Sequence, residues 1–371
     1  TLWFQHTRAI AGEAVRTDGF LSRLMFSGWA AWFYLVKVLW PAGLSFVYPR
    51  ALPDAGRLTN WWPLLAGLCV MGAAYYRRGT WGRPLLMAGG VFVLMLLPVL
   101  GFINIYFMKY SLVADHWQYA AMIAPVALFA GACVTLASRR GRVAQRAATV
   151  ALLLLAVLLG AMSMSYARDW AGERTLWVRT LSRNRDAWLA HARLGSICRD
   201  EGDAEGAMRH YLRAAAIEPD EPGNQFNLGL SYYGRRDYPM AERCFRKALE
   251  RNPDLPTAQI NLARTLVVQG KGAEGVRAYE EVLRRHPDNA VAMIGVARVR
   301  SSDPNPANRK AAEALEYGKR AVRATGAENA LALDVQGAAY AEAGDFDKAL
   351  ACAELALAAA QKAGQASLAA E

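Results

Sequence analysis

Residues 226–253, FNLGLSYYGRRDYPMAERCFRKALERNP, decide the fold of the second half of the chain. The segment holds two apolar patterns of helical spacing, one around Leu228 and one around Phe245, with a polar turn between them. Gly229 is small enough to let two antiparallel helices approach closely, while Phe245 fills the space toward the next unit. Pro253 cannot continue the second helix. The segment therefore predicts a pair of antiparallel helices.

The same pattern recurs every 34 residues, which is the period of tetratricopeptide repeats (TPR). The equivalent apolar-small pairs are Leu194-Gly195, Leu228-Gly229 and Leu262-Ala263, and the equivalent prolines are Pro219, Pro253 and Pro287. A fourth unit has a lengthened turn at 301–306, and a fifth surrounds Gly337. We predict about five TPR units over residues 188–361, a joining helix over 168–187 and the start of a capping helix at 362–371.

A TPR array forms a superhelix whose concave face is lined by the first helix of each unit. The position before each apolar-small pair is expected to face this groove, and adjacent units place Asn227 and Asn261 there. The two resemble the asparagine ladder in the TPR domain of O-GlcNAc transferase, whose amides grip an extended peptide backbone. Ordinary solvated polar residues are the alternative. The candidate groove residues are Arg193, Asn227, Tyr233, Asn261, Arg264 and Arg298.

The first half of the chain has a different composition from the second. Among the 371 residues, positions 1–170 carry 15 Lys+Arg and 5 Asp+Glu, whereas positions 171–371 carry 28 and 27. The basic excess therefore lies in the apolar half, which argues against nucleic-acid binding, because a nucleic-acid interface clusters basic residues on a polar surface. The apolar content of 54% also excludes a disordered chain.

Uncharged runs in the first half predict membrane spans. A spanning helix needs about 20 apolar residues, and a charge at the bilayer centre costs about 2.5–3.5 kcal/mol. Residues 1–167 are therefore predicted to form an all-α multi-pass bundle of about five spans, the C-terminal part of a larger membrane domain. The five predicted spans are 21–40, which contains Lys37 near its end, 58–76, 84–108, 116–138 and 147–167.

Loop charges predict the orientation of these spans. The loops 77–83 and 139–146 carry seven arginines, whereas the opposite loops carry Arg50, Arg57 and Lys109. Basic loops stay in the cytoplasm, so the TPR domain is expected outside it. Only 8 of the 43 basic residues are lysine, which favours a bacterial source and hence a bacterial inner membrane. Residues 1–20 suit an interfacial amphipathic helix on either side.

One polar cluster stands at the predicted mouth of a span, at residues 109–119. Lys109, Asp115 and His116 there, with Lys37, are candidates for a rim that contacts a lipid phosphate. The alternative is a loop whose polar residues meet headgroups while its aromatic residues anchor the interface. The five cysteines are expected to be buried apolar residues, and no motif predicts a bound metal.

The order of spans followed by TPR units resembles the transmembrane and TPR-containing O-mannosyltransferases and their bacterial relatives, which are C-class glycosyltransferases. The segments that carry the resemblance are 40–49, WPAGLSFVYP, and 113–119, VADHWQY. Relatives often have arginine where this chain has His116. The resemblance implies a polyprenyl-phosphate sugar donor, a possible divalent metal and a catalytic acid near the N-terminus. The chain starts at Thr1 without that region, so we expect an N-terminally truncated fragment.

Three functions remain open at the level of sequence. The first is a glycosyltransferase whose extracytoplasmic TPR array binds protein acceptors and whose membrane half binds lipid. The second is a non-enzymatic, membrane-anchored TPR scaffold for envelope assembly. The third is an enzyme similar to O-antigen ligases with a TPR tail. In each case the expected partners are a protein or peptide in the TPR groove and membrane lipid, with no nucleic acid.

Overall fold

The computed structural model describes residues 15–50, 54–326 and 328–362. Within these ranges the chain is helical, with α-helices and short 3-10 turns and no strand. The chain divides into two compact units, residues 1–194 and 195–371. The predictions for residues 1–14 and 363–371, which include most of the amphipathic segment and of the capping helix, lie outside the described residues.

The first unit contains six α-helices and the beginning of a seventh within the described residues. Short 3-10 turns at 97–99, 106–109, 115–118 and 168–170 interrupt the connections between them. The helices are α1 Phe20–Leu39, α2 Trp62–Tyr76, α3 Gly82–Leu96, α4 Ile123–Ser138, α5 Arg142–Ala167, α6 Glu173–Arg183 and α7 Trp188–Asp200, of which α7 continues into the second unit.

Two helical stretches of the described chain are long and apolar enough to cross a membrane, Gly82–Val99 and Arg142–Trp170, and α4 is a shorter apolar helix. The prediction of five spans is therefore met by two. The uncharged run 84–108 is not one helix, because α3 ends at Leu96 and the backbone turns at Gly101, whose φ is +96°. Apolar composition alone did not reveal that break.

The core of the first unit forms where residues 97–121 fold back against α1. Tyr34 and Met108 are fully buried there, and the Tyr34 hydroxyl accepts a hydrogen bond from the Ala114 amide at 3.2 Å. This bond fixes the backbone just before Asp115. The buried residues of this core are Val15, Phe26, Ala30, Tyr34, Phe92, Leu96, Val99, Leu100, Met108, Leu112 and Ala121.

The second unit continues the pairing of antiparallel helices that the 34-residue period predicts. Three-residue turns join the helices of most pairs, whereas α13 and α14 are joined by eight residues that include the turn Pro306–Asn308. The helices after α7 are α8 Ala204–Ile217, α9 Pro222–Gly234, α10 Tyr238–Arg251, α11 Pro256–Val268, α12 Gly272–Arg285, α13 Ala290–Ser302, α14 Ala311–Thr325, α15 Ala330–Glu342 and α16 Phe346–Lys362.

Small residues allow the helices of a pair to pack as the sequence predicted. A Cβ on Gly229 would lie 2.7 Å from the ring of the buried Phe245, and a Cβ on Gly195 would lie 2.6 Å from the ring of Tyr211. Real Cβ atoms do not approach that closely, so glycine is needed at both positions. Asp237 caps α10 by accepting a hydrogen bond from the Met240 amide at 3.2 Å.

Candidate functional site

Asp115 is the centre of a hydrogen-bonded cluster in the first unit. The Tyr48 hydroxyl donates to one carboxylate oxygen at 2.7 Å, and the Ser45 amide donates to the other at 3.1 Å. The Tyr166 hydroxyl, at the end of α5, donates to the same second oxygen at 3.4 Å. Three segments far apart in sequence thus converge on one carboxylate. Because each of them donates, the arrangement suits the ionised form of Asp115.

The electrostatics of Asp115 reflect two opposed effects. Burial raises the pKa of Asp115, whereas the hydrogen bonds from Tyr48 and Ser45 and the positive charge of Lys37 lower it. The net direction is upward. Burial and the Asp115 charge both raise the pKa of Tyr48, which therefore remains a protonated donor at neutral pH.

Lys37 lies beside this cluster at the end of α1. Its ammonium donates to the Ala42 carbonyl at 2.5 Å and stands 5.6 Å from the centre of the Tyr48 ring. The structure therefore brings Lys37 and Asp115 to the same place, as candidates of one site would require. The segment 41–48 between them supplies carbonyl groups on one side and the Ser45 amide on the other.

A cavity of about 400 Å³ opens next to Asp115. His116 lines it, so two of the predicted rim residues share this cavity. Aromatic side chains form much of the wall, which suits the apolar face of a sugar ring. The lining residues are Ser45, Phe46, Asp115, His116, Tyr119, Ser163, Tyr166, Ala167 and Trp170.

A second cavity, of about 320 Å³, lies on the other side of Tyr166. Arg183 and Arg179 line it and pair with the half-buried Asp169, at 3.1 and 3.4 Å. The backbone of 41–44 forms the facing wall. Tyr166 lines both cavities, so one side chain separates a basic compartment from an aromatic, acidic one.

The remaining rim candidate, Lys109, is placed differently. Its carbonyl accepts a hydrogen bond from Arg50 at 3.3 Å, and its ammonium stands 5.9 Å from the centre of the Tyr106 ring. The 3-10 turn at 106–109 directs the side chain toward Tyr106 although Lys109 is near Asp115 in sequence. Within the described residues, no group of three or more His, Cys, Asp or Glu side chains could hold a metal ion.

Sequence reasoning missed four residues of these cavities: Tyr48, Tyr166, Arg179 and Arg183. Tyr48 belongs to the segment 40–49 that carried the family resemblance, but no role followed from that. Arg179 and Arg183 follow an uncharged run directly, which was a usable signal, because cations at a span end commonly meet phosphates.

In the second unit, three of the groove candidates surround Tyr279, which is 4% exposed. Burial raises the pKa of the Tyr279 hydroxyl, and the guanidinium groups of Arg264 and Arg298 offset part of that rise. Tyr233 acts on the same hydroxyl and packs edge-on against Tyr238 with ring centres 5.5 Å apart. The three candidates therefore lie together although they belong to three successive repeats.

The other groove candidates have separate environments. Asn227 and Asn261 are half-buried at equivalent positions of α9 and α11, and the Asn261 amide donates to the Thr257 carbonyl of its own helix at 2.8 Å. Arg193 is exposed on the part of α7 that belongs to the first unit. Their role in peptide binding stays a prediction.

Comparison with protein families confirms the repeats. The tetratricopeptide repeat family matches residues 226–290 and 260–329, and a second TPR repeat family matches 195–234. Solved structures with a similar helical arrangement include a MamA protein (18% identity, 48% of this chain and 94% of that one, TM-score 0.41) and the type IV pilus biogenesis factor PilW (20%, 54% and 90%, TM-score 0.43).

Weak similarity to O-mannosyltransferases is also present. The chain is 25% identical over 198 residues to the protein O-mannosyl-transferase Tmtc3 of Drosophila melanogaster, which is 53% of this chain and 21% of the relative. It is 24% identical over 176 residues to TMTC3 of Mus musculus, 45% of this chain and 18% of the relative. The matched region thus covers about a fifth of the length of these relatives.

Proposed function

We propose that the first unit is embedded in a membrane and binds the phosphate-linked sugar end of a polyprenyl lipid, while the TPR unit binds a protein acceptor. The full protein is then a glycosyltransferase in the manner of O-mannosyltransferases. The observation that carries this proposal is the pair of adjoining cavities, one lined by arginines and one by Asp115 and aromatic rings, with Tyr166 between them.

The exposed surface of the first unit supports a membrane setting. No residue of α5 is buried, and its exposed side chains include Leu153, Leu154 and Val157, at 63%, 65% and 71%. Water would penalise such a surface by about 25 cal/mol per Å², whereas lipid does not. Lys37 and Asp115 lie at the ends of apolar helices, where charged groups reach the headgroup layer at low cost.

The two cavities suit the two parts of the ligand. A phosphate is recognised by guanidinium groups through charge-assisted hydrogen bonds, and it would compete with Asp169 for Arg179 and Arg183. A sugar offers hydroxyl donors to a carboxylate and an apolar face to aromatic rings, which the Asp115 cavity supplies. Asp115 is thereby assigned to sugar positioning, and the proposal places no catalytic acid among these residues.

The proposed location is the bacterial inner membrane, with the TPR unit outside the cytoplasm. Arginine-rich loops 77–83 and 139–146 support this orientation. An acceptor protein in the TPR groove would be held on the side where lipid-linked sugars are used by enzymes of this class. The confirmed TPR repeats support the acceptor role, because such arrays present extended binding surfaces.

The test is binding of two probes to the full chain in nanodiscs, polyprenyl phosphate and polyprenyl-phosphate mannose, followed by tryptophan fluorescence. Arg179→Ala with Arg183→Ala should weaken both probes about tenfold, since two charge-assisted contacts are lost. Asp115→Asn should weaken only the mannose-bearing probe. Arg185→Ala, an exposed arginine two residues beyond α6, is the matched control and should change neither.

A non-enzymatic TPR scaffold is the second candidate. It is favoured by the match of the TPR families to 195–329 together with similarity to only a fifth of the enzymes. A scaffold needs no lipid-phosphate pocket. Equal weak binding of both probes to the unmodified chain and to all variants would therefore favour the scaffold over the glycosyltransferase.

A further inference from the structure

Arg264 and Arg298 occupy equivalent positions, 34 residues apart, on the first helices of two successive TPR pairs. Both are exposed on α11 and α13, on the helices that line the concave face of such an array. Each lies near the hydroxyl of the buried Tyr279. The two cations therefore stand on one face over a common polar group rather than on opposite sides of the unit.

The charges of the two arginines are balanced unequally. Arg298 pairs with Asp334 of α15 at 3.3 Å. Among the residues that the structure describes, no carboxylate lies within ion-pair distance of Arg264. Arginines on the second helices are different, because Arg246 pairs with Glu242 at 2.8 Å and Arg285 with Glu281 at 3.2 Å. The uncompensated cation is therefore on the concave-face helices.

The surroundings of Arg264 suit a peptide. Half-buried Leu230 and Ile294 supply apolar contacts beside it, and Tyr233 supplies an aromatic ring. Asn227 and Asn261, one repeat apart, offer amides that pair with a peptide backbone. A lipid headgroup or a nucleic-acid phosphate would use the arginines alone and leave these apolar and amide groups without a partner.

We propose that this face of the TPR unit selects an acidic extended peptide, with a carboxylate bound by Arg264 and Arg298 and the backbone bound by Asn227 and Asn261. This inference rests on the proposed role of the TPR unit in protein binding and adds the chemical class of the partner. Asp334 is an internal competitor, because it holds Arg298 when no peptide is bound. Binding of an acidic residue exchanges one carboxylate partner of Arg298 for another.

The experiment measures fluorescence anisotropy of labelled ten-residue peptides with the full chain in nanodiscs. One peptide alternates Asp and Glu with apolar residues, and the other replaces these by Asn and Gln. The acidic peptide should bind about tenfold tighter, and Arg264→Gln should remove most of that difference. Asp334→Asn should tighten the acidic peptide at least about twofold, because it frees Arg298. Arg243→Gln, an exposed arginine of the second helix α10, should change nothing.

The outcomes separate this inference from the function on which it rests. Equal binding of acidic and neutral peptides overturns the acidic selectivity and leaves the protein-binding role in place. Binding of neither peptide overturns both. Binding of vesicles that contain anionic lipid, lost in Arg264→Gln, with no binding of the acidic peptide, assigns the arginines to a membrane surface and overturns the peptide proposal.

Discussion

At the scale of single residues, one repeat position shows how backbone geometry limits the sequence. Gly202, Arg236 and Gly270 end successive first helices, spaced by the repeat period, and all have positive φ, at +83°, +63° and +77°. Glycine takes this left-handed conformation without steric cost, whereas a residue with a Cβ does not. Arg236 is the one described non-glycine residue with positive φ. The site has no chemical role that explains the arginine.

Arg236→Gly should therefore stabilise the second unit. The left-handed conformation costs a residue with a Cβ about 1–2 kcal/mol, and the larger unfolded-state entropy of glycine returns about 0.4–1 kcal/mol of this, which leaves a gain of about 0.5–1 kcal/mol. Hydrogen–deuterium exchange of α9 and α10 in the full chain should slow. Gly202→Ala is the converse control and should accelerate exchange in α8. Faster exchange in Arg236→Gly would contradict the strain argument.

At the scale of elements, a charged network joins successive helix pairs of the second unit. Glu242 of α10 accepts hydrogen bonds from Arg246 at 2.8 Å, from Lys271 at 2.8 Å and from Gln269 at 2.9 Å, and the latter two belong to the turn after α11. Burial alone would raise the pKa of Glu242, but these three bonds outweigh it and lower the pKa to about 2. The network therefore fastens one turn to the neighbouring helix.

The Glu242 network predicts acid sensitivity. The folded pKa of about 2 lies below the ordinary value of 4.5, so the contribution is complete above pH 4.5 and is lost as pH falls toward 2. After allowance for solvent screening the contribution is about 1–2 kcal/mol. Hydrogen exchange of α10 and of the turn 269–271 should accelerate between pH 4.5 and pH 3. Glu242→Gln should weaken this pH dependence, whereas unchanged dependence in that variant would contradict the assignment.

At the scale of the whole molecule, the apolar surface of the first unit and the polar surface of the second unit demand different solvents. Exposed leucine and valine side chains cover α5, whereas the second unit carries ion pairs on its exposed helices. Such a division is natural for a chain of which one part lies in lipid and the other in water. The proposed orientation puts the TPR unit outside the cytoplasm.

Reporter fusions test this orientation. Alkaline phosphatase, which is active only outside the cytoplasm, should be active when fused after Glu371 and inactive when fused after Gly141, which lies in an arginine-rich loop. A green fluorescent protein reporter should give the opposite pattern at the two sites. Phosphatase activity at Gly141 together with none at Glu371 would invert the proposed topology and remove the acceptor side of the glycosyltransferase proposal.

The sequence by itself determined the TPR unit. Its 34-residue period fixes where each helix begins, which positions need a small residue and where proline ends a pair, because all of these are local steric requirements repeated in register. Gly229 against Phe245 is the example, since the glycine and the aromatic ring it faces are 16 residues apart in one hairpin. The lengthened turn of the fourth pair was legible for the same reason.

Only the tertiary structure decided the candidate site of the first unit. Tyr48, Asp115 and Tyr166 are separated by 67 and 51 residues, and no local pattern indicates that their side chains meet. Lys109 was expected beside Asp115 because the two are close in sequence, but a short helical turn directs it toward Tyr106. Apolar runs likewise gave the composition of the helices but not their ends. Convergence of distant loops depends on how helices pack, and that is a property of the whole unit rather than of any segment.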